Sequence, residues 1–487
     1  MKTTYSLGLA TLAAAVLAAC GGNDVPPGPT IDLGTARGSI VANSPAILAA
    51  FPGAADYKAA LSASASGRSL LAVAGDPKCG VTFHYYQYNT VGGANEVANG
   101  SAGIMVPTGT DAACTGPRPV LLYAHGTTIE KGYNFASPAN GETALIAAMY
   151  AAQGWIVVGP SYVGYESSTS SYHPYLNAEA QANDMVDALR AARKAFPNIG
   201  ATPSDKLFLS GYSQGGFVAM ATAQAMQTTY KDEFKVTALG GMSGPYSIVN
   251  TLKTVFAGGV NAGATIFSPL IFTSWQKAYG NVYSSPADIY EAPYASYIET
   301  LFPSATLNFN TAFTTGRVPA KLFASGPLVT GNPGLDALFA AGVGTPNLIK
   351  QSYRQTVLTT PGNPVWVAAA KNDLSATYTP TRPVSMCVGA ADPTVFATNT
   401  SDAAKAFLGR GVPAAAIKLF DLEDATTVGP TLAGVFAGAK AATAADPNAP
   451  GASPAEKVVQ AYHGGLVPPF CNIVTRSYFQ GVLAAGL

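Results

Sequence analysis

The sequence predicts an α/β fold: a mostly parallel sheet covered by helices on both faces, with a large cap inserted before the last strands. Three observations predict it. Short apolar runs alternate with stretches of helical period between residues 119 and 244, and such alternation argues for parallel strands joined by helical crossovers. The apolar runs resume at 383–392 after a stretch, 247–382, that is rich in Pro, Tyr and Phe and shows no clear alternation of strands. Finally, 48% of the 487 residues are hydrophobic and only 11% charged, with 51 glycines and 35 prolines, the composition of a loop-rich globular protein with more than one compact core can organise.

The N-terminus, "MKTTYSLGLATLAAAVLAAC", has one positive residue, Lys2, then a short apolar run ending in Leu17-Ala18-Ala19-Cys20. This reads as a secretory signal over residues 1–20. Its ending resembles the bacterial lipobox, which implies that Cys20 is lipidated and becomes the new N-terminus. Residues 21–65 then read as a flexible tether, Gly- and Pro-rich to about Thr35, followed by an N-terminal extension. The expectation is an exported bacterial lipoprotein, anchored facing the periplasm or cell exterior, or else a secreted protein. Beyond the signal no apolar run reaches the ~20 residues needed to cross a bilayer, so the lipid is the expected membrane contact.

The core follows in two parts, 66–246 and 383–487, around the cap at 247–382. From Val81 to Pro107 polar and apolar residues alternate, with turns expected at Gly92-Gly93 and Gly100, the pattern of antiparallel strands. "PVLLYAHG" (119–126), "WIVVGP" (155–160) and "KLFLSG" (206–211) are short apolar runs suited to buried strands, and helical patterns at 141–154 and 179–196 separate them. "KVTALGGMSG" (235–244), "PVSMCVGAAD" (383–392) and "AAAIKLFDLEDA" (414–425) extend the sheet; an Ala-rich helix follows.

Four cysteines remain after Cys20: Cys79, Cys114, Cys387 and Cys471. An even number in an exported chain points to disulfides, and four allow three pairings. Cys79 and Cys114 bracket the hairpin region, while Cys387 and Cys471 each lie near a candidate site residue, which favours 79 with 114 and 387 with 471. Their spacing is not that of a zinc site, and no metal is expected. Lys plus Arg and Asp plus Glu balance at 27 each, leaving no basic stripe for nucleic acid.

Gly211-Tyr212-Ser213-Gln214-Gly215 has the G-x-S-x-G form between an apolar strand and a helix, the context in which a serine is held exposed on a sharp turn. Ser213 is therefore the candidate nucleophile. A serine hydroxyl needs a base, usually a histidine oriented by a carboxylate, and in this architecture the order is Ser, acid, His. Of four histidines only His463, in the loop-like "YHGG", follows Ser213. Asp392 ends an apolar strand, where α/β sheets place their working loops. Asp421, Asp424 and Asp373 are its rivals. The N–H groups of Gln214 and of Thr127, in "YAHGTT", are the candidate donors to a tetrahedral oxyanion. His84, His125 and His173 are read as structural.

Taken together, "AHGTT", "GPSYVGYESSTSSYHPYLNAEAQANDMVDALRAAR", "GYSQGG", "GAADPTVF" and "YHGG" resemble the secretory lipase family, lipase A type, of α/β-hydrolases, including its bacterial exported members. The resemblance implies the α/β-hydrolase fold with a cap over the active site and hydrolysis of carboxylic esters by Ser213, Asp392 and His463. An exported esterase of small or lipid-like esters, including aromatic esters and polyester fragments, and needing no cofactor, is the expectation. A serine peptidase or amidase on the same scaffold, and a surface lipoprotein that only binds, are the alternatives.

Overall fold

The computed structural model describes residues 36–41, 45–324 and 346–486. The expected signal, Cys20 with its expected lipidation, and the Gly- and Pro-rich part of the expected tether lie outside the described residues.

Among the described residues nine strands form one sheet: β1 (Ala46–Phe51), β2 (Gly80–Val91), β3 (Val97–Thr108), β4 (Arg118–Ala124), β5 (Ile156–Pro160), β6 (Pro203–Tyr212), β7 (Val236–Met242), β8 (Val384–Val388) and β9 (Ile417–Asp421). Their order is β1-β2-β3-β5-β4-β6-β7-β8-β9. From β5 to β9 every pair is parallel, and β1, β2 and β3 add an antiparallel edge. This is the α/β-hydrolase fold class that the sequence predicts. The chain turns one way after β4, to β5, and the other way after β6, to β7, so the carboxyl ends of β4 and β6 meet at the point where crossovers diverge. Open α/β sheets hold their ligands in such a crevice.

Both faces of the sheet are buried, which explains the unbroken apolar strands. Val120, Leu122 and Ala124 face one core with Leu209 and Tyr246, while Leu121 and Tyr123 face the other with Phe208, Met242 and Phe479. Helix Ala178–Ala195 closes the first face with its Met185, Val186 and Leu189; helix Val467–Ala484 closes the second with Phe470, Val474 and Phe479.

The edge hairpin differs from the expectation at one point. The chain turns between Gly92 and Glu96, but Gly100 lies inside β3 opposite Tyr88. A Cβ there would stand 2.6 Å from the Tyr88 hydroxyl oxygen, so the glycine makes room for a ring rather than for a bend. Upstream, β1 pairs with β2, Gly38 N donates to Asn89 O of β2 at 2.8 Å, and Arg37 Nε donates at 2.8 Å to the buried Asp187 of helix Ala178–Ala195, docking the start of the described chain.

The segment between β7 and β8 is helical in its described parts, with Ile248–Ala257, Ala264–Tyr279, Gln351–Thr359 and Pro364–Asn372 the longer helices. It is tied to loops at the carboxyl end of the sheet. Ser304 N donates to Ile129 O at 2.7 Å, Asn261 Nδ2 to Thr394 O at 2.7 Å, and Trp275 Nε1 to Leu176 O at 3.1 Å. Among the described residues no helix is long and apolar enough to cross a membrane.

Two disulfides have the pairing favoured from the sequence. Cys79–Cys114 closes the β2–β3 hairpin, and Cys387–Cys471 joins β8 to helix Val467–Ala484.

Candidate active site

Strand β6 ends at Tyr212, and Gln214 opens the helix Gln214–Gln227, leaving Ser213 alone on the turn with φ 58° and ψ −123°. Such angles are costly for a residue with a Cβ and persist only where the surroundings enforce them. Here Ser213 N donates to Met242 O at 2.9 Å, and the flanking glycines let chain pass close by. A Cβ on Gly211 would fall 2.2 Å from Gly215 O, and one on Gly215 would fall 1.9 Å from Ala124 O. No other residue fits at either position, so the G-x-S-x-G spacing is a packing requirement of this turn.

Ser213 Oγ stands 2.8 Å from His463 Nε2, and His463 Nδ1 stands 2.7 Å from Asp392 Oδ2. The structure thus brings together three residues that are 250 and 71 positions apart in sequence. The aspartate carboxylate is fully buried and its other oxygen, Oδ1, accepts the N–H groups of Thr394 (2.9 Å) and Val395 (3.0 Å). Those bonds fix which oxygen faces the ring. With Nδ1–H donating to Asp392, Nε2 is left as the acceptor for the serine proton.

His463 is not on a loop. It sits in a π-helical turn, Tyr462–Leu466, between helices Pro454–Ala461 and Val467–Ala484. Gly464-Gly465 reads as loop-like in sequence, yet here it is carried in a widened turn; single π turns within helices recur at functional sites. Tyr212, next to the nucleophile, donates its hydroxyl to the His463 carbonyl and pins that turn against β6.

The rival carboxylates do other work. Asp373 is buried and accepts Val249 N (2.9 Å) and Ala376 N (3.1 Å). Asp424 caps the short helix Ala425–Val428, and Asp421 accepts Ala390 N at 3.1 Å. Of the other histidines, His125 is stacked between Tyr133 and Tyr162 at 4.2 and 4.0 Å, and burial pushes it down to about 4. His173, pushed down by burial to about 3, donates Nδ1–H to Val163 O and accepts at Nε2 from the Gln214 amide at 2.6 Å. His84 lies in β2, and burial likewise lowers its pKa.

Among the described residues, the backbone N–H groups of Gln214 and Thr127 donate to no protein acceptor. Gln214 opens a helix, where free donors and the helix dipole favour negative charge. The loop after β4 lies directly over the elbow, since a Cβ on Gly126 would be 3.8 Å from Ser213 Cβ. Thr127 Oγ1 is paired with the Tyr175 hydroxyl at 2.8 Å, and Tyr175 stacks on Phe267 of helix Ala264–Tyr279, so an aromatic wall adjoins this loop. A residue that the sequence does not single out is Glu142, whose half-buried carboxylate accepts Gly126 N–H.

The fold and the line from Ser213 through His463 to Asp392 define a serine hydrolase built on the α/β-hydrolase fold, and its likeness to lipases and esterases makes it a hydrolase of carboxylic esters. More particularly, the chain is similar to the secretory lipases: the secretory lipase family model matches residues 136–281. Among solved structures, the rice cell wall degrading esterase LipA from Xanthomonas oryzae is 25% identical, with 92% of this chain and 99% of that chain covered at a TM-score of 0.70. A Legionella pneumophila protein shares the fold at 18% identity and a TM-score of 0.64, covering 91% of this chain and 98% of its own. No curated protein matches the chain with significance.

Proposed function

We propose that the chain is an exported serine carboxylesterase, with Ser213 as nucleophile, His463 as general base and acid, and Asp392 as the group that orients the imidazole. The observation that carries this is the continuous hydrogen-bonded line from Ser213 Oγ through His463 to Asp392, at 2.8 and 2.7 Å. Ser213 Oγ attacks the ester carbonyl carbon while its proton passes to His463 Nε2. The carbonyl oxygen becomes an oxyanion, received by the N–H groups of Gln214 and Thr127. Collapse breaks the bond to the alcohol oxygen, which takes the proton from His463 and leaves an acyl-serine. Water, deprotonated by His463, attacks that acyl group and returns Ser213 with release of the acid.

No cofactor takes part in this scheme. The segment from β7 to β8 acts as a cap, and its aromatic side chains, with Tyr175 and Phe267 beside Thr127, suit acyl chains or aromatic esters. The name of the Xanthomonas esterase, which describes degradation of rice cell wall, supports polymer-derived esters as the substrate class. Two disulfides support an oxidising, extracytoplasmic location. The lipobox-like Leu17-Ala18-Ala19-Cys20 supports a lipid anchor, tested by incorporation of labelled palmitate into the wild type and its absence in Cys20→Ser.

The decisive experiment is Ser213→Ala assayed on p-nitrophenyl esters of graded chain length and on aminoacyl p-nitroanilides. Ester turnover lost in the variant is expected; turnover retained in it would sink the assignment. Faster wild-type cleavage of the anilides would instead favour an amidase, and a wild type inert to both and to fluorophosphonates a binding protein.

A further inference from the structure

We propose that Glu142 is a positioning residue for the oxyanion site, its carboxylate clamping the loop after β4 so that the Thr127 N–H faces the reacting centre. The inference rests on the function proposed above. It starts from the two peptide units on either side of Gly126, which carry four polar groups. Three of them are pinned. The Gly126 N–H is held by both carboxylate oxygens of Glu142, at 3.1 Å each. The His125 carbonyl accepts the Tyr162 hydroxyl at 2.9 Å, and the Gly126 carbonyl accepts His125 Nδ1–H at 2.6 Å. The fourth is the Thr127 N–H, and in a trans peptide it points opposite to the carbonyl that His125 holds. Fixing the first three therefore aims the fourth.

Glu142 is itself held rigidly. It lies in the first turn of the helix Gly141–Met149, where Asn140 caps Glu142 N and Thr143 N at 3.0 and 3.1 Å, and Tyr123 donates its hydroxyl to Oε1 at 2.9 Å. The groups facing it are Tyr123 from β4, Tyr133 from the following loop, Tyr162 beyond β5, Tyr212 from β6 and His463. Burial pushes its carboxyl up to about 7, opposed by the Gly126 N–H, the Tyr123 hydroxyl and His463. A carboxylate drawn partly out of water costs free energy unless hydrogen bonds compensate, and holding the glycine loop at the site is a reason to keep it.

The test measures kcat and KM separately for wild type, Glu142→Ala and Glu142→Gln, on protein whose folding is verified by thermal melting. Loss of an oxyanion donor costs about 100-fold or more, so Glu142→Ala should lower kcat by about 100-fold with KM changed by less than about 3-fold. Glu142→Gln keeps one carbonyl acceptor for Gly126 and should recover to within about 10-fold of wild type, yet remain at least about 3-fold below it. A folded Glu142→Ala with wild-type kcat, or one whose loss lies in KM alone, overturns the clamp. If Glu142→Ala does not fold, wild-type kcat in Glu142→Gln overturns it equally. Ser213→Ala is run beside them: activity surviving there defeats the serine mechanism itself, whereas an inactive Ser213→Ala with an unaffected Glu142 series defeats only the clamp.

Discussion

Asp392→Asn removes a charge while keeping the shape of the site, and the hydrogen bonds around Asp392 determine what happens next. Oδ1 is the acceptor for two backbone N–H groups, Thr394 at 2.9 Å and Val395 at 3.0 Å. An asparagine must leave its carbonyl oxygen there, because turning the amide over would set NH₂ against both donors. The NH₂ group then occupies the place of Oδ2, 2.7 Å from His463 Nδ1, and faces it as a donor. The ring responds by taking the other tautomer, with Nδ1 accepting and Nε2 carrying the proton. Nε2–H now points at Ser213 Oγ, 2.8 Å away, and cannot take its proton. An enzyme with the wrong tautomer loses about 10⁴ in kcat, or about 5.5 kcal/mol of transition-state stabilisation. Steady-state hydrolysis of p-nitrophenyl butyrate measures it, with thermal melting to verify folding. A folded variant within about 10-fold of wild-type kcat would refute the reasoning.

Two further outcomes are expected. Replacing Cys387 and Cys471 together by serine releases a cross-link spanning 84 residues, worth about 4.5 kcal/mol in the chain-entropy account, and should lower Tm by roughly 5 °C; an unchanged Tm contradicts this. The pH dependence of stability combines opposing groups. Burial raises Glu142 and Asp184 to about 7, so their contribution is complete below the ordinary carboxyl range near 4 and is lost as pH rises through 7. It lowers His125 and His173 to about 4 and 3, so theirs is complete above about 6.5 and is lost on acidification. The two pairs offset each other between about pH 4 and 6.5, and above about pH 7.5 all four groups carry the same charge folded and unfolded, so Tm should be nearly flat from about pH 5 to 9. A Tm climbing from about pH 5 to 6.5 would show the carboxyls to be unperturbed, because the histidine contribution would then stand alone.

What could be read from the sequence divides along a physical line. Strands β4 to β8 were legible because each carries an apolar run bounded by turns, and β2 and β3 because their residues alternate, whereas β1 fell within the expected tether and extension and was not read as a strand. Ser213 was legible because a local motif creates a local strain. His463 could be found by elimination, being the one histidine downstream, but its helical setting could not. Glycine pairs break helices in isolation, and only packing of Tyr462, Leu466 and Val467 in the core, with Tyr212 holding the carbonyl, keeps the turn closed. Gly100 misled for a related reason, since the ring that requires it belongs to the partner strand. Glu142 carried no signal at all: its role depends on Gly126, sixteen positions away and brought near only by the sheet.

The π turn at Tyr462–Leu466 has a consequence for how this chain can vary over generations. Loss of one glycine there would give a smoother, better-bonded helix. It would also swing everything on one side of the cut by about 100° relative to the other, carrying the imidazole off its two neighbours or the trailing apolar face off the sheet. Lineages that retain chemistry at this place are thus held to an irregular helix, and a deletion that improves local geometry there would be among the most damaging the gene can suffer.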